Sequence, residues 1–318
     1  MKKLFTLTFI LSLSMGFASV KDSLPVRHFR YVAFPEMGDC DACGCSATGG
    51  SMGFSSVFNN NFVGLRYFYQ SYTSKDGIFD NSPHVDENFN TIQAWARIPV
   101  SKKLQLSALI PYHFHTRERA EGDENISGLG DATLLAMYNL YQTKKDSVRF
   151  HHKLQFGGGV KLPTGKYDEA NNAGSVNPGF QVGTGSLDYM VLAEYVLQSG
   201  KLGLSNMINY VFKTENRKEY RFGDQLNYGS TLFYLIETPG LKLVPQAGLA
   251  GEVYKENFQH GQSVADTGGN VLFGRFGFEA GRKDFSIGVN AMLPVTQNLS
   301  GGNVEANYRW SVNLNYSL

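Results

Sequence analysis

Beyond its first residues, this chain of 318 residues has no run of the roughly 18 consecutive apolar residues that a membrane-crossing helix needs. Any passage through a bilayer therefore has to be made by a closed β-barrel. It has little net charge: 29 Lys and Arg stand against 28 Asp and Glu, leaving +1, which gives no electrostatic reason to expect nucleic acid or another strongly charged partner. It has only three cysteines, all within six residues of one another. It contains no zinc-ligand motif, P-loop, dinucleotide fingerprint or G-x-S-x-G elbow, so no common catalytic constellation is present and no enzyme is expected. A membrane phospholipase would need Ser, His and a polar orienter together at the lipid-facing rim, and no spacing here shows that set.

What the chain has is aromatic residues, at 13%, and 35 glycines, a balance that favours β-structure with many turns. Met1-Lys2-Lys3, the apolar run Leu4 to Leu13 and the small residues Gly16 and Ala18 have the three regions of a secretory signal peptide. The expected organisation is a signal peptide over 1–18, a periplasmic extension over 19–61 and a barrel over 62–318.

From Val63 onward the apolar residues alternate with polar ones. The closing stretch is the clearest case: Tyr308, Trp310, Val312, Leu314, Tyr316 and Leu318 share one parity, and Arg309, Ser311, Asn313, Asn315 and Ser317 the other. Period two is the mark of a half-buried strand. About twelve such strands, each of roughly ten residues, can be followed, an even count within the range of bacterial outer-membrane barrels. Tight connections (such as 99–103, 198–201 and 281–284) take turns with long polar ones (such as 73–87, 164–185 and 255–269), as short periplasmic turns and long outer loops would. On the apolar parity Tyr69, Tyr112, Tyr189, Phe212, Tyr228 and Tyr308 fall at one end of the strands. Tyr138, Phe150, Tyr195, Tyr234, Phe285 and Tyr316 fall at the other. Rings at both ends with aliphatics between them are what two membrane interfaces select. The fold expected is an all-β transmembrane antiparallel up-and-down barrel with its apolar parity toward lipid, and the last strand pairs with the first to remove both sheet edges.

The opposite parity then lines the lumen with Arg66, Phe68, Gln93, Trp95, Arg97, Lys153, Lys161, Asp188, Glu194, Gln225, Asn227, Phe233, Glu252, Arg275, Glu279, Asn290 and Arg309. About twelve strands lie between small filled barrels and wide porins, so a narrow or gated passage is expected. Aromatic groups beside charges suit a small, moderately apolar solute. The competing reading is a satisfied internal network of ion pairs that conducts nothing.

Two stretches go beyond pattern. "GLGDATLLAMYNLY" (Gly128 to Tyr141) and "KLPTGKYDEANNAGSVNPGFQVGTGSLDYMVLAEY" (Lys161 to Tyr195) resemble the outer-membrane proteins of the meta-pathway of phenol degradation, a family also known simply as transporters. The motifs are Gly128, Gly130 and Asp131 entering a strand, Pro163, Thr164 and Gly165 leaving one, and Gly183, Gly185 and Asp188 entering the next. The resemblance implies an outer-membrane barrel passing small, often aromatic or hydrophobic compounds, with outer-membrane lipid as its surroundings and no catalytic residues. The glycines also have a plain structural reading, since strand ends and barrel corners need the backbone freedom they give.

"GDCDACGCSATGG" gathers Cys40, Cys43 and Cys45. In an oxidising periplasm two would pair and leave one over. A C-x-x-C-x-C cluster with Met37 and Met52 nearby could instead hold a soft cation such as Cu(I). An extension on the periplasmic side could gate the pore, deliver to it or meet a periplasmic partner. His113 and His115 flank an outer loop, where histidines are ordinarily solvated; His151 and His152 begin a strand. The expectation is an outer-membrane transporter or channel of a Gram-negative bacterium. The alternatives are a closed structural or adhesive barrel with ligand-binding outer loops, or metal-linked uptake through the cysteines.

Overall fold

Alternation of apolar and polar side chains yields strands whose two faces differ completely in exposure. In the closing strand Leu314 is 51% exposed while Asn313 and Asn315 on either side of it are 3% and 1% exposed. The computed structural model describes residues 61–75, 83–119, 122–143, 149–167 and 180–318. The expected signal peptide and the cluster Cys40, Cys43 and Cys45 lie outside the described residues.

The strands are β1 (Phe62–Lys75), β2 (His84–Pro99), β3 (Leu104–Glu118), β4 (Glu124–Leu129), β5 (Ala132–Gln142), β6 (His151–Leu162), β7 (Asp188–Ser199) and β8 (Leu202–Phe212). They continue with β9 (Tyr220–Arg221), β10 (Gln225–Tyr234), β11 (Ile236–Thr238), β12 (Leu241–Tyr254), β13 (Asn257–Gln259) and β14 (Gln262–Val264). The last three are β15 (Gly269–Arg282), β16 (Phe285–Leu299) and β17 (Val304–Ser317). Each long strand pairs antiparallel with its neighbours in sequence, β10 pairs with β12, and β1 pairs with β17 from Phe62↔Ser317 to Ser74↔Val304. The result is a closed, twelve-stranded antiparallel up-and-down barrel. β4 and β5 act as one strand, pairing with the outer and inner halves of β3. β11 continues β10 beyond Leu235.

Short turns gather at one end, where Gly200 and Gly240 take the left-handed conformation that tight hairpins require (φ +58° and +79°). The long connections gather at the other end, taken here as the outer one. There β9, β13 and β14 form a small separate sheet. Burial raises the Tyr220 phenol of this sheet to about 12, against a hydrogen bond donated by Asn257 Nδ2 at 2.8 Å.

On the lipid-facing side, aromatic pairs mark both interfaces. Tyr67 and Trp310 (centroids 5.2 Å apart) and Tyr69 and Tyr308 (5.7 Å) stand toward the outer end, and Phe285 and Tyr316 (5.0 Å) at the inner end. The strands extend further outward than their hydropathy suggests: β1 reaches Lys75, β2 starts at His84 and β3 reaches Glu118. Above the outer belt the outward face meets water instead of lipid, so apolar alternation stops while the hydrogen-bonded ladder continues. Thr73 donating to Asp86 (3.0 Å) and Thr116 to Asn125 (2.9 Å) replace lipid-facing apolar pairs there.

Candidate functional site: the barrel lumen

The inward parity of every long strand is buried, and it carries all of the residues expected to line the lumen. Arg66, Phe68, Gln93, Trp95, Arg97, Lys153, Lys161, Asp188, Glu194, Gln225, Asn227, Phe233, Glu252, Arg275, Glu279, Asn290 and Arg309 are each less than 9% exposed. They form distinct groups. Arg66 donates to Gln93, with its guanidinium 4.9 Å from the Trp95 ring centroid and 5.3 Å from that of Phe68. Arg309 holds Glu252 through Nη1 and Nη2 at 2.7 and 2.9 Å, donates to Tyr72 and lies 4.2 Å over Phe273. Tyr254 closes that group by donating to Glu252 at 2.6 Å. Gln225 donates to Asn227 (2.7 Å), and Arg275 to Thr231 (3.4 Å). Bidentate Arg–carboxylate geometry with a further hydrogen bond to the same carboxylate is what allows such an ion pair to be buried.

Most of the glycine-rich motif residues, spread from Gly128 to Asp188, meet at one point. Pro111 has no N–H to give the ladder, and opposite it β4 and β5 part at Gly130 and Asp131; Gly130 N–H donates to the Pro111 carbonyl at 2.9 Å. This break turns Asp131 inward. Its carboxylate accepts from Gly165 N (2.9 Å), Thr184 N (2.9 Å), Thr184 Oγ1 (2.6 Å) and Lys161 Nζ (3.2 Å). Lys161 also reaches Asp188 Oδ2 (2.9 Å), which Lys213 approaches at 3.2 Å. Asp188 Oδ1 accepts from Ser186 Oγ (2.9 Å) and Thr214 N (3.1 Å). Thr164 Oγ1 donates to Gly130 O (2.7 Å) and accepts from Ala132 N (2.8 Å). Two carboxylates and two ammonium groups thus neutralise one another while pinning the β6–β7 connection to the barrel wall. Gly165 and Gly183 pack so closely that a Cβ on Gly183 would stand 2.7 Å from the Gly165 carbonyl carbon and oxygen. Gly185 takes φ +68°. Gly128 faces Val182, and Pro163 follows Leu162, the last residue of β6.

The pinned segment is where the lumen departs from expectation. As a long polar connection it was expected to lie outside, yet Phe180, Gln181, Val182 and Thr184 are buried, at 6% or less exposure. Phe180 packs edge-on against Phe89 (6.1 Å), near His115 (6.4 Å), with the Arg117 guanidinium 4.6 Å from its ring. It belongs to an apolar cluster with Phe68, Tyr72, Phe89, Tyr254 and Phe273 that draws on both sides of the barrel's outer half. The histidines also differ from expectation: His113 and His115 are 2% and 3% exposed, face inward and lie 4.8 Å apart. Thr91 Oγ1 meets His113 Nδ1 at 2.8 Å, and Asn90 N donates to His115 Nδ1 at 3.2 Å. Their inward parity was readable, since they alternate with Tyr112 and Phe114. Phe180 and Lys213 gave no such signal, because each lies outside a strand. Among the described residues no group of three or more His, Cys, Asp or Glu could hold a metal ion.

A transmembrane β-barrel with an ionised, motif-bound inner wall is the class these features define. The chain belongs to the family described as "MetA-pathway of phenol degradation", whose profile matches residues 89–315. Among solved structures it is similar to the COG4313 outer membrane channel from Pseudomonas putida F1, at 16% identity over 88% of this chain and 98% of that one, with a TM-score of 0.63. It is also similar to the β-domain of the Bordetella autotransporter BrkA (10% identity, 81% and 99% coverage, TM-score 0.49). The CymD monoaromatic hydrocarbon channel is a more distant likeness (8% identity, 82% and 89% coverage, TM-score 0.39). No curated protein sequence matches the chain.

Proposed function

We propose that the protein is an outer-membrane channel of a Gram-negative bacterium that passes small, aromatic or otherwise apolar compounds. The observation that carries this reading is the state of the inner wall. Ser107, Thr133, Ser205 and Asn209, on three strands, each turn a buried polar atom inward with no hydrogen-bond partner among the described residues. A dry protein core seldom holds as many polar and charged side chains as this inward parity carries, whereas the wall of an aqueous passage does. The rings of Phe68, Phe89, Phe180 and Phe273 in the same lumen support an apolar solute. Membership of the family and likeness to a barrel named as an outer membrane channel support the transport class.

The aromatic cluster across the outer half favours a second reading, a closed barrel whose outer loops bind a partner. Planar-bilayer conductance and liposome swelling separate the two. The channel reading expects flux through the wild-type protein and a larger conductance in Phe180→Ala, which shortens the side chain reaching across to Phe89. Absence of flux in both proteins would favour the closed barrel.

A further inference from the structure

Glycines let side chains lie flat against the inner wall on two facing sides of the barrel. Met137 and Leu135 of β5 lie over Gly157 and Gly159 of β6, where an added Cβ would stand 2.3 Å from Met137 Sδ and 2.5 Å from Leu135 Cδ2. Asn290, Asn313 and Asn315 lie in the same way over Gly277, Gly288 and Gly64. Around the ring of twelve strands β5 stands opposite β15 and β7 opposite β17, so one thinned wall faces the other. Twelve tilted strands enclose a ring about 24 Å across at the backbone, whereas β-layers pack about 10 Å apart. The two walls therefore do not meet, and the space between them takes one further layer of chain.

Apolar side chains lying flat on an open wall would keep one side toward water. Yet Leu109, Leu135, Met137, Met190 and Leu192 are at most 3% exposed. In the outer half of the lumen the covering layer is Phe180 and Val182 of the β6–β7 connection, packed among residues of both walls. The second apolar cluster runs from Phe62 and Trp95 at the inner mouth to Met190 and Val211 farther up the wall, and among the described residues it draws on the strands alone. The long connections belong to the outer end. At the inner mouth the long segment is the chain ahead of β1, and Asn61 shows where it heads. Its carbonyl accepts from Leu318 N (3.0 Å), while its side-chain oxygen accepts from Gln105 Nε2 (3.3 Å), a residue on the inward parity of β3. Phe62 beside it also faces inward, so the chain has left strand alternation toward the lumen.

We propose that the apolar inner wall is a docking surface for this chain's own residues 33–60, which enter the lumen from the inner mouth and narrow the passage. The effect on conductance rests on the channel reading; the docking does not. Composition fits the place. More than half of residues 33–60 are Gly, Ala, Ser or Cys, small enough for a layer between two walls. Met52, Phe54, Val57 and Phe58 stand within ten residues of Asn61, where the apolar cluster begins. The stretch carries Glu36, Asp39 and Asp41 and no Lys or Arg. Below the charge groups of the outer half, the buried cations Arg66, Arg97, Lys153 and Arg275 stand against two carboxylates, Glu194 and Glu279. An acidic segment balances that excess. Its length is ample, since 28 extended residues reach about 90 Å and the apolar band of a barrel is about 25 Å tall.

The three cysteines of the chain all lie in this stretch and report on it directly. In the reduced, detergent-solubilised full chain, a bulky polyethylene-glycol maleimide should label Cys40, Cys43 and Cys45 many-fold more slowly than in the urea-unfolded chain. Phe54→Asp with Phe58→Asp should unseat the segment and speed labelling several-fold while the barrel keeps its fast migration on unheated gels. Phe54→Ser with Phe58→Ser, which adds no charge, should act in the same direction and guards against misfolding of the first pair. The chain has two tryptophans, and Trp310 faces lipid, so in a Trp310→Phe background Trp95 reports on the wall. Its quenching by iodide should rise several-fold in either double variant, and channel conductance should rise with it. Wild-type labelling as fast as in urea, or Trp95 equally shielded in all the folded proteins, would overturn the docking. Flux through a wild-type channel whose cysteines label freely would overturn it and leave the channel reading intact. Shielded cysteines and a Trp95 uncovered by the variants, in barrels that never conduct, would support the docking and sink the channel reading alone.

Discussion

Asp131 shows how one side chain can organise a region. Four donors converge on its carboxylate, two of them backbone N–H groups from a connection thirty and more residues away in sequence. Replacing it by Ala leaves the buried Lys161 with Asp188 as its remaining carboxylate, one that Lys213 shares. Removing one partner from a buried ion pair typically costs roughly 3–5 kcal/mol. Asp131→Ala is therefore expected to lower stability by about that much, and Asp131→Asn by less because its amide oxygen still accepts. Urea unfolding in lipid vesicles, followed by tryptophan fluorescence, measures both. The importance of Asp131 was partly legible, since Gly-Leu-Gly-Asp entering a strand is conspicuous. Its partners were not, because hydrogen bonds between a strand break and a distant loop leave no periodic trace in the sequence.

At the scale of elements, the strands were legible and the β6–β7 connection was not. Twelve strands follow from period-two alternation because each has lipid on one side and a polar interior on the other, so every residue from Tyr308 to Leu318 declares its face. The segment around Phe180 has the same polar, glycine-rich composition whether it projects into water or folds into the lumen. What decides its course is the contact between Gly165 and Gly183, where no side chain fits. Gly183→Ala is expected to undock this segment and expose the β6–β7 connection. The checking measurement is the rate of protease cleavage there in whole cells, which should rise several-fold over wild type while the barrel band itself survives. His113 and His115 were misplaced for a related reason: they lie near a loop in sequence, but β3 continues past them to Glu118.

For the whole molecule, orientation toward lipid is the property on which the rest depends. A cation on the lipid-facing side of a barrel costs about 2–4 kcal/mol at the membrane midplane and little where water reaches it. Leu314→Arg is expected to lose that much folding free energy in urea unfolding in vesicles, and Leu314→Met, which stays apolar, less than half as much. Equal losses for the two substitutions would mean that Leu314 does not face lipid.

The pairing of Phe62 with Ser317 has a temporal meaning as well as a geometric one. These partners are separated by almost the entire described chain, so the ring cannot shut before its final segment has been delivered. Until that moment two unpaired edges remain, each a template for wrong association. A protein built this way depends on being shielded while incomplete, and its last fifteen residues act as the fastener whose arrival ends that exposure.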